Sequence, residues 1–134
     1  TLKLENINLE SLEAGDLVEF KRGVYSHWAV YIGNEQVIHL TGDGSVFSGN
    51  ISSGSVFSIC GIYYTKAIVE EENIWTVAGD CKFYRDNRVS PFTAAEIIRR
   101  ARAKLGNIHD HVLWSNCEHF ASFCRYGNPK SDQA

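Results

Sequence analysis

The residue in this sequence best suited to nucleophilic chemistry is a cysteine at the predicted start of a helix. Cys117 lies inside a capping box, the pattern in which Ser115 accepts a free helix amide and Glu118 returns the contact. The partial positive charge and free amides of a helix N-terminus favour the thiolate, which is the reactive form of cysteine. The amide of Cys117 could also hold an oxyanion formed on an attacked carbonyl. Free cysteines are usually buried structural residues, so a catalytic role requires a base nearby.

The spacing of apolar residues in this helix predicts where the thiol points. One helical face, with spacing i, i+3, i+4 and i+7, carries Cys117, Phe120, Ala121 and Cys124. Gly127 ends the predicted helix, and Pro129 prevents it from resuming. Cys117 is therefore expected to face the body of the protein, and Cys124 is interpreted as a core residue.

Two of the five histidines are candidates for the base. His27 and His39 lie among apolar residues of two predicted strands. His119 lies about 200° around the helix from Cys117 and cannot face the same point. The other two are His109 and His111, which fall in a polar connection and are predicted to be on the surface.

The register of the predicted hairpin decides whether these two histidines can cooperate. A two-residue turn would place His27 and His39 on opposite faces of the sheet. A three-residue loop from Gly33 to Glu35, or a bulge of equal parity, would pair Ala29 with His39 and put both imidazoles on one face. One imidazole could then take the thiol proton while the other fixes its tautomer. Joint function therefore requires the shared-face register.

The remaining pattern predicts both strands and helices. Runs rich in β-branched and aromatic residues predict strands at Asp16–Phe20, His27–Ile32, Gln36–Leu40, Lys66–Glu70, Ile74–Val77 and Cys81–Tyr84. A capping box from Thr93 to Glu96 predicts a helix that Gly106 stops. The Gly/Ser-rich segment 41–61 predicts a flexible surface loop.

Composition limits the classes of function. The length of 134 residues predicts a single domain, 1–134, and the 44% hydrophobic and 22% charged fractions are ordinary for a soluble protein. The net charge of −3 gives no electrostatic reason to expect nucleic-acid binding. No apolar run could span a bilayer, and the N-terminus lacks a signal-peptide pattern. The four cysteines lack paired zinc spacing, so we predict no metal, and no cofactor is expected. Because no secretory signal is evident, we predict reduced cytosolic thiols.

Several short motifs occur together from Gly15 onward. They are Asn116–Phe120, the frame Arg22-x-x-Tyr25-x-His27-Trp28-Ala29-x-Tyr31-x-Gly33, Val37-x-His39-Leu40, Lys66–Val69, Val77–Gly79, and Arg125–Gly127 with Ser131–Gln133. In this combination the chain resembles the lecithin:retinol acyltransferase-like family, and within it the phospholipase A/acyltransferase branch, also called H-Ras-like suppressors.

This resemblance implies a fold and a catalytic set. The implied fold is α+β, an antiparallel β-sheet packed against helices as a circularly permuted papain-like thiol hydrolase. The implied triad has Cys117 as the nucleophile, His27 as the general base and acid, and His39 as the orienting third member. The implied site-lining residues are Tyr25, Arg22 and Asn116, with Tyr25 as a possible donor to the oxyanion.

The resemblance also implies a substrate and a setting. Members of the family move an acyl chain from a phospholipid such as phosphatidylcholine to a cysteine, and then to water, to an amine such as phosphatidylethanolamine, or to a lysolipid. They usually carry a hydrophobic C-terminal anchor that this chain lacks. The expected location is therefore cytoplasmic, at a membrane surface that the full-length protein would reach through such an anchor.

Two other functions remain open on the residues themselves. A cysteine amidase or peptidase on the same core would favour a polar cleft over an apolar one. A non-catalytic interaction module that keeps the fold would be indicated by loss of the cysteine or a histidine, and all three residues are present. A zinc site at Cys117 and His119 lacks the expected ligand spacing.

Overall fold

Most of the described strands belong to one antiparallel sheet. The computed structural model describes residues 9, 11–23, 25–42, 57–59, 62–64, 67–108 and 117–127. The strands are β1 (Leu17–Arg22), β2 (Tyr25–Gly33), β3 (Gln36–Gly42), β4 (Phe57–Ile59), β5 (Ile62–Tyr64), β6 (Ala67–Asn73), β7 (Phe83–Asp86) and β8 (Gly106–Ile108). Six of them form a sheet in the order β7-β1-β2-β3-β6-β8, and β4 pairs with β5 separately.

Helices cover both faces of this sheet. The described helices are α1 (Ile74–Ala78), α2 (Ala94–Arg102) and α3 (Cys117–Tyr126). Because successive strand residues point to opposite faces, β2 contributes to two cores. Trp28 shares one buried cluster with Ile97 of α2 and Phe120 of α3. Ala29 belongs to the second cluster, which includes Ile74 of α1. The α+β architecture with a sheet packed against helices is confirmed.

The hairpin of β2 and β3 combines a tight turn with a bulge. Asn34 and Glu35 form the turn, and both have left-handed φ angles, 53° and 62°, as type I′ turns require. The pairing register then shifts between Tyr31 and Gly33, which leaves one extra residue on β2. This extra residue restores the parity that a three-residue loop would have given.

One predicted strand is wrong. The other predicted strands correspond to β1, β2, β3, β6 and β7, but Ile74–Val77 lies in α1. The side chain of Asn73 caps this helix by accepting the N–H of Trp75 at 2.9 Å. Gly79, with φ of 56°, ends it. The two caps outweigh the β preference of the isoleucine, tryptophan and valine in this short segment.

Part of the segment predicted as a loop is strand. Thr41 and Gly42 continue β3, and Phe57–Ile59 forms β4 against β5. The rest, 43–56 and 60–61, lies outside the described residues, so a flexible loop there stays a prediction. The assignment of 1–134 to a single domain also stays a prediction.

On the Trp28 face, α2 begins and α3 ends where the sequence predicts, but the predicted end of α2 is wrong: the helix ends at Arg102 with Ala103 as its C-cap, and Gly106 begins β8. Thr93 Oγ1 accepts the N–H of Glu96 at 3.2 Å at the start of α2. Gly127 ends α3 with φ of 86° and donates its N–H to the carbonyl of Phe123. Ser115, of the second predicted capping box, lies outside the described residues. Among the described helices, none combines the length and apolarity needed to cross a bilayer.

Candidate active site

The two strand histidines form a buried pair. The Val30–Ile38 pairing of β2 and β3 sets Ala29 opposite His39, so His27 and His39 share one face. His27 Nε2 lies 2.7 Å from His39 Nδ1, and the two rings meet edge to face with centroids 4.9 Å apart. Both residues are almost fully buried. Of the two registers that the sequence left open, the structure has the shared-face one, which arises from the bulge beside a two-residue turn.

The thiol lies beside the start of β2, in the buried cluster that contains Trp28. Because strand residues alternate, the side chain of His27 points to the other face of the sheet, the face of Phe20 and Ala29. Cys117 is the first residue of α3 and is 4% exposed. Its Sγ lies 3.9 Å from the carbonyl oxygen of Ser26, within reach of a weak S–H···O contact. Because that carbonyl is bonded to the peptide nitrogen of His27, Sγ lies within roughly 7 Å of the His27 Cα. The fold thus brings a residue from the last described helix beside the hairpin.

A carboxylate lies behind the histidine pair. His39 Nε2 is 3.3 Å from Glu72 Oε1, so the two ring nitrogens of His39 contact different partners. Glu72 in turn shares a hydrogen bond with Glu70. His39 pairs with Glu70 across β3 and β6, which places these side chains on the histidine face. Neither glutamate is identifiable from the sequence pattern, because the predicted strand ends at Glu70 and does not include Glu72 at the i+2 position.

The two glutamates have pKa values displaced in opposite directions. The hydrogen bond from His39, followed by that from Glu70, lowers the pKa of Glu72 to about 2. The hydrogen bond to Glu72, partial burial and the charge of Glu72 raise the pKa of Glu70 to about 7. Carboxylates that share one proton separate in this way. Although the ligand atoms of His39, Glu70 and Glu72 lie within 4.8 Å of one another, the hydrogen bonds among them already use these polar groups.

The three predicted site-lining residues differ in where they lie. Tyr25 is two residues before His27 on the same face of β2 and is 50% exposed. Arg22 donates from Nη2 to the carbonyl of Val77 at 2.6 Å, which ties β1 to α1. Asn116 lies outside the described residues. The structure therefore brings Tyr25 to the edge of the histidine site and gives Arg22 a partner on α1.

A cavity of about 420 Å³ adjoins the first turn of α3. Its lining includes Glu19, Trp28, Arg85, Asp86, Arg88 and Glu118. Trp28 and Glu118 place this cavity on the sheet face that packs against α3. Arg88 is paired with Asp86 at 2.8 Å. The lining is mostly charged.

Comparison with known proteins adds an independent observation. A family model described as "Lecithin retinol acyltransferase" matches residues 10–130. The chain is 37% identical to "Phospholipase A and acyltransferase 3" of Homo sapiens over 124 residues, which cover 89% of this chain and 74% of that protein. It is 39% identical to the protein of the same name from Mus musculus, over the same shares of each chain. "Phospholipase A and acyltransferase 2" of Homo sapiens is 36% identical, again over 89% of this chain and 74% of the relative.

Proposed function

Because the chain belongs to the lecithin retinol acyltransferase family, we propose that it is a cysteine-dependent phospholipid acyl hydrolase and acyltransferase. The names of the relatives, phospholipase A and acyltransferase, support an acyl group on a phospholipid as the substrate. The observation that carries the mechanism is the buried 2.7 Å contact between His27 and His39, beside the strand end where Cys117 lies. We expect phosphatidylcholine and phosphatidylethanolamine as substrates, with ester hydrolysis at either position of the glycerol.

The first half of the reaction acylates the thiol. His27 takes the proton of Cys117, and the thiolate attacks the ester carbonyl carbon to form a C–S bond. The negative charge moves to the carbonyl oxygen, where the amide of Cys117 and the hydroxyl of Tyr25 are the proposed donors. When the C–O bond to glycerol breaks, the imidazolium of His27 returns its proton to the departing alkoxide. A thioester and a lysophospholipid result.

The second half transfers the acyl group. His27 removes a proton from water or from the amine of an ethanolamine lipid as that acceptor attacks the thioester carbon. The C–S bond breaks, and the thiolate recovers a proton from the imidazolium. Water as the acceptor gives a fatty acid, and an amine gives an N-acylated lipid. Asn116 is proposed to line this site next to the thiol.

The contact between the two histidines supports Nδ1 of His27 as the proposed base. Nε2 is engaged with His39, so the proton of the thiol must go to Nδ1, which is buried. Nδ1 is also the ring nitrogen closer to the backbone, and Sγ of Cys117 lies beside that backbone at the Ser26 carbonyl. Acylation therefore requires the Cys117 thiol, which packs in the Trp28 cluster, to reach Nδ1 around the start of β2.

Intact-mass spectrometry after exposure to phosphatidylcholine vesicles tests this function. We expect an acyl adduct that maps to Cys117, disappears in Cys117→Ala, and is lost in His27→Ala. Cys81→Ala is the matched control, because it removes a partly exposed thiol distant from the histidine pair in the chain. Phospholipid turnover that persists in Cys117→Ala would contradict the proposal, and the absence of both adduct and turnover with any phospholipid would favour a non-catalytic module.

A second candidate function is a cysteine amidase or peptidase. The charged lining of the cavity beside α3 is the observation that favours it, because a peptide substrate suits a polar cleft. The same variants assayed with peptide and N-acyl amide substrates distinguish the two functions. Turnover of amides without any turnover of phospholipid esters would replace the lipid proposal with this one.

A further inference from the structure

We propose that Glu72 is a positioning residue that fixes the tautomers of both histidines and supplies the negative charge behind them, a role that rests on the proposed thiol chemistry. It would form the end of a chain that runs from Cys117 through His27 and His39 to a carboxylate. The triad alone offers a neutral imidazole as its third member. An imidazole stabilises a neighbouring imidazolium less than a carboxylate does.

The contacts of His39 define the order of this chain. Its Nδ1 lies 2.7 Å from His27 Nε2, and its Nε2 lies 3.3 Å from Glu72 Oε1. His27 and His39 are 2% and 4% exposed, so water has little access to these ring nitrogens. Glu72 is less buried, with a side chain 29% exposed. The chain thus runs from the protein interior at His27 toward the surface at Glu72.

An ionised Glu72 at the end of this hydrogen-bonded chain permits one set of tautomers for His39 and His27. An ionised Glu72 accepts hydrogen bonds and donates none, so His39 must carry its proton on Nε2. The lone pair of His39 is then on Nδ1, where it accepts the Nε2–H of His27. His27 consequently has its lone pair on Nδ1, the nitrogen proposed to take the thiol proton. In the reversed arrangement the lone pair of His39 Nε2 would face the carboxylate, and His27 Nδ1 would already be protonated.

The state of Glu70 supports this assignment. Glu70 shares a hydrogen bond with Glu72, and its pKa is raised to about 7 whereas that of Glu72 is lowered. Between about pH 2 and pH 7 the two carboxyl groups therefore hold one proton, which lies on Glu70. Glu72 is ionised in this range and accepts the hydrogen bond from His39. The described charged groups that face Glu72 are Glu70 on β6 and the two histidines on β3 and β2. The residues of α1 and β8 include none that ionise.

The next glutamate along the strand provides a matched control. Glu71 alternates to the other face of β6 and pairs with Arg102 at 2.9 Å. Glu71→Gln changes the net charge by the same amount as Glu72→Gln, and it leaves the histidine face intact. Any general effect of charge on vesicle binding or on the stability of β6 should therefore appear in both variants.

The experiment combines kinetics with two readouts that do not need substrate. Glu72→Gln keeps the shape of the side chain, but its amide N–H can donate to His39 Nε2 and so permits the reversed arrangement. We expect kcat to fall about 10–100-fold while KM stays within about twofold, as for residues that orient a catalytic group. We also expect the midpoint for alkylation of Cys117 against pH, followed by peptide mass spectrometry, to move to higher pH. Glu71→Gln should match the wild type in all of these.

Nitrogen-15 NMR of the imidazoles in the wild type tests the chain without any variant or lipid. A protonated Nε2 and a lone-pair Nδ1 on His39 at neutral pH would support the proposal, and the opposite assignment would overturn it even if Glu72→Gln did not fold. Wild-type kcat and an unchanged alkylation profile in folded Glu72→Gln would also overturn it. If Cys117→Ala retained turnover, the proposed function would fail, whereas the NMR assignment would still decide the role of Glu72.

Discussion

Each ring nitrogen of His39 has its own partner, and this limits the protonation states open to the site. His27 contacts one nitrogen at 2.7 Å and Glu72 the other at 3.3 Å. Such pairing holds the ring in one orientation, which is the task of the third member in a nucleophile–base pair. The predicted roles of Cys117 and Tyr25 stay predictions, because the acyl-enzyme has to be observed in solution.

Changing Glu72 to Gln should lower the raised pKa of Glu70. In the wild type the hydrogen bond and charge of Glu72, together with burial, raise the pKa of Glu70 from 4.5 to about 7. Glu72→Gln removes the charge, so we expect the carboxyl carbon of Glu70, followed by carbon-13 NMR, to titrate closer to 4.5. A wild-type midpoint near 4.5 would contradict the shared proton.

The raised pKa of Glu70 also determines how the free energy of unfolding changes with pH. A raised carboxyl pKa stabilises the fold below the unfolded value of 4.5, and this contribution is lost as pH rises through about 7. Glu70→Gln should therefore gain stability relative to the wild type as pH rises from about 5 to 8, as measured by urea unfolding. Glu71→Gln, on the other face of β6, is the control and should show no such trend.

At the scale of elements, the sequence predicted that β2 and β3 form a hairpin, but it did not predict their pairing register. The strand patterns around His27 and His39 identified both strands, and the parity rule reduced the register to two outcomes. The structure uses a two-residue turn and recovers the shared face with a bulge near Tyr31. Glu35 at a left-handed φ of 62° is an uncommon choice, so residue preferences alone did not indicate this turn.

The junction of β6 and α1 was mispredicted for a related reason. Asn73 ends the strand and caps the helix within one residue. The apolar segment that follows is too short for helical periodicity to exceed strand preference. Because the predicted strand ends at Glu70, the contact between Glu72 and His39 could not be predicted.

Arg100 is predicted to stabilise the packing of α2 against the C-terminal end of α3. Its guanidinium donates to the carbonyls of Phe123 at 2.7 Å and Cys124 at 3.2 Å, and it lies 4.4 Å from the ring centroid of Phe92. Charged donors to the carbonyls in the last turn of a helix are stabilising. We expect Arg100→Ala to lower the free energy of unfolding by about 2 kcal/mol, measured by urea denaturation.

The neighbouring Arg99 is the control for this contact, because it is exposed on the same helix. Arg99→Ala should change the free energy of unfolding by less than about 0.5 kcal/mol. Arg100→Lys should fall between the two, since lysine keeps the charge but loses the planar pair of donors. Equal effects of Arg99→Ala and Arg100→Ala would mean that the α2–α3 contact contributes nothing measurable.

At the scale of the whole molecule, the candidate site depends on contacts between distant parts of the chain. Cys117 and Ser26 meet although they are 91 residues apart in sequence. Helix capping and strand patterns located each residue on its element, but neither specifies how α3 docks on β2. The family motifs supplied that expectation. The central place of β2 and β3 in the six-stranded sheet gives the pair a rigid support.

The second thiol of α3 gives a prediction for the molecule as a whole. Burial raises the pKa of Cys124 from 9.0 to about 12, although the charges of Arg100 and Lys104 act in the opposite direction. Since the unfolded thiol ionises first, the stability of the fold is intact below pH 9 and falls as pH rises from 9 toward 12. The slope approaches about 1.4 kcal/mol per pH unit in that range. Unfolding free energies in urea at several pH values under reducing conditions measure it.

Other groups also titrate in this range, so the informative quantity is the difference between wild type and Cys124→Ala. The variant should be less stable at pH 8 by about 1 kcal/mol, because it leaves a small space in the core. The two curves should then converge as pH rises, since alanine has no proton to lose. Cys81→Ala, which removes a partly exposed thiol, controls for the loss of a sulfhydryl. Parallel curves for wild type and Cys124→Ala would show that the Cys124 thiol has the same pKa in the folded and unfolded chains. Burial would then not suppress ionisation of Cys124, and the two thiols of α3 would not differ in this respect.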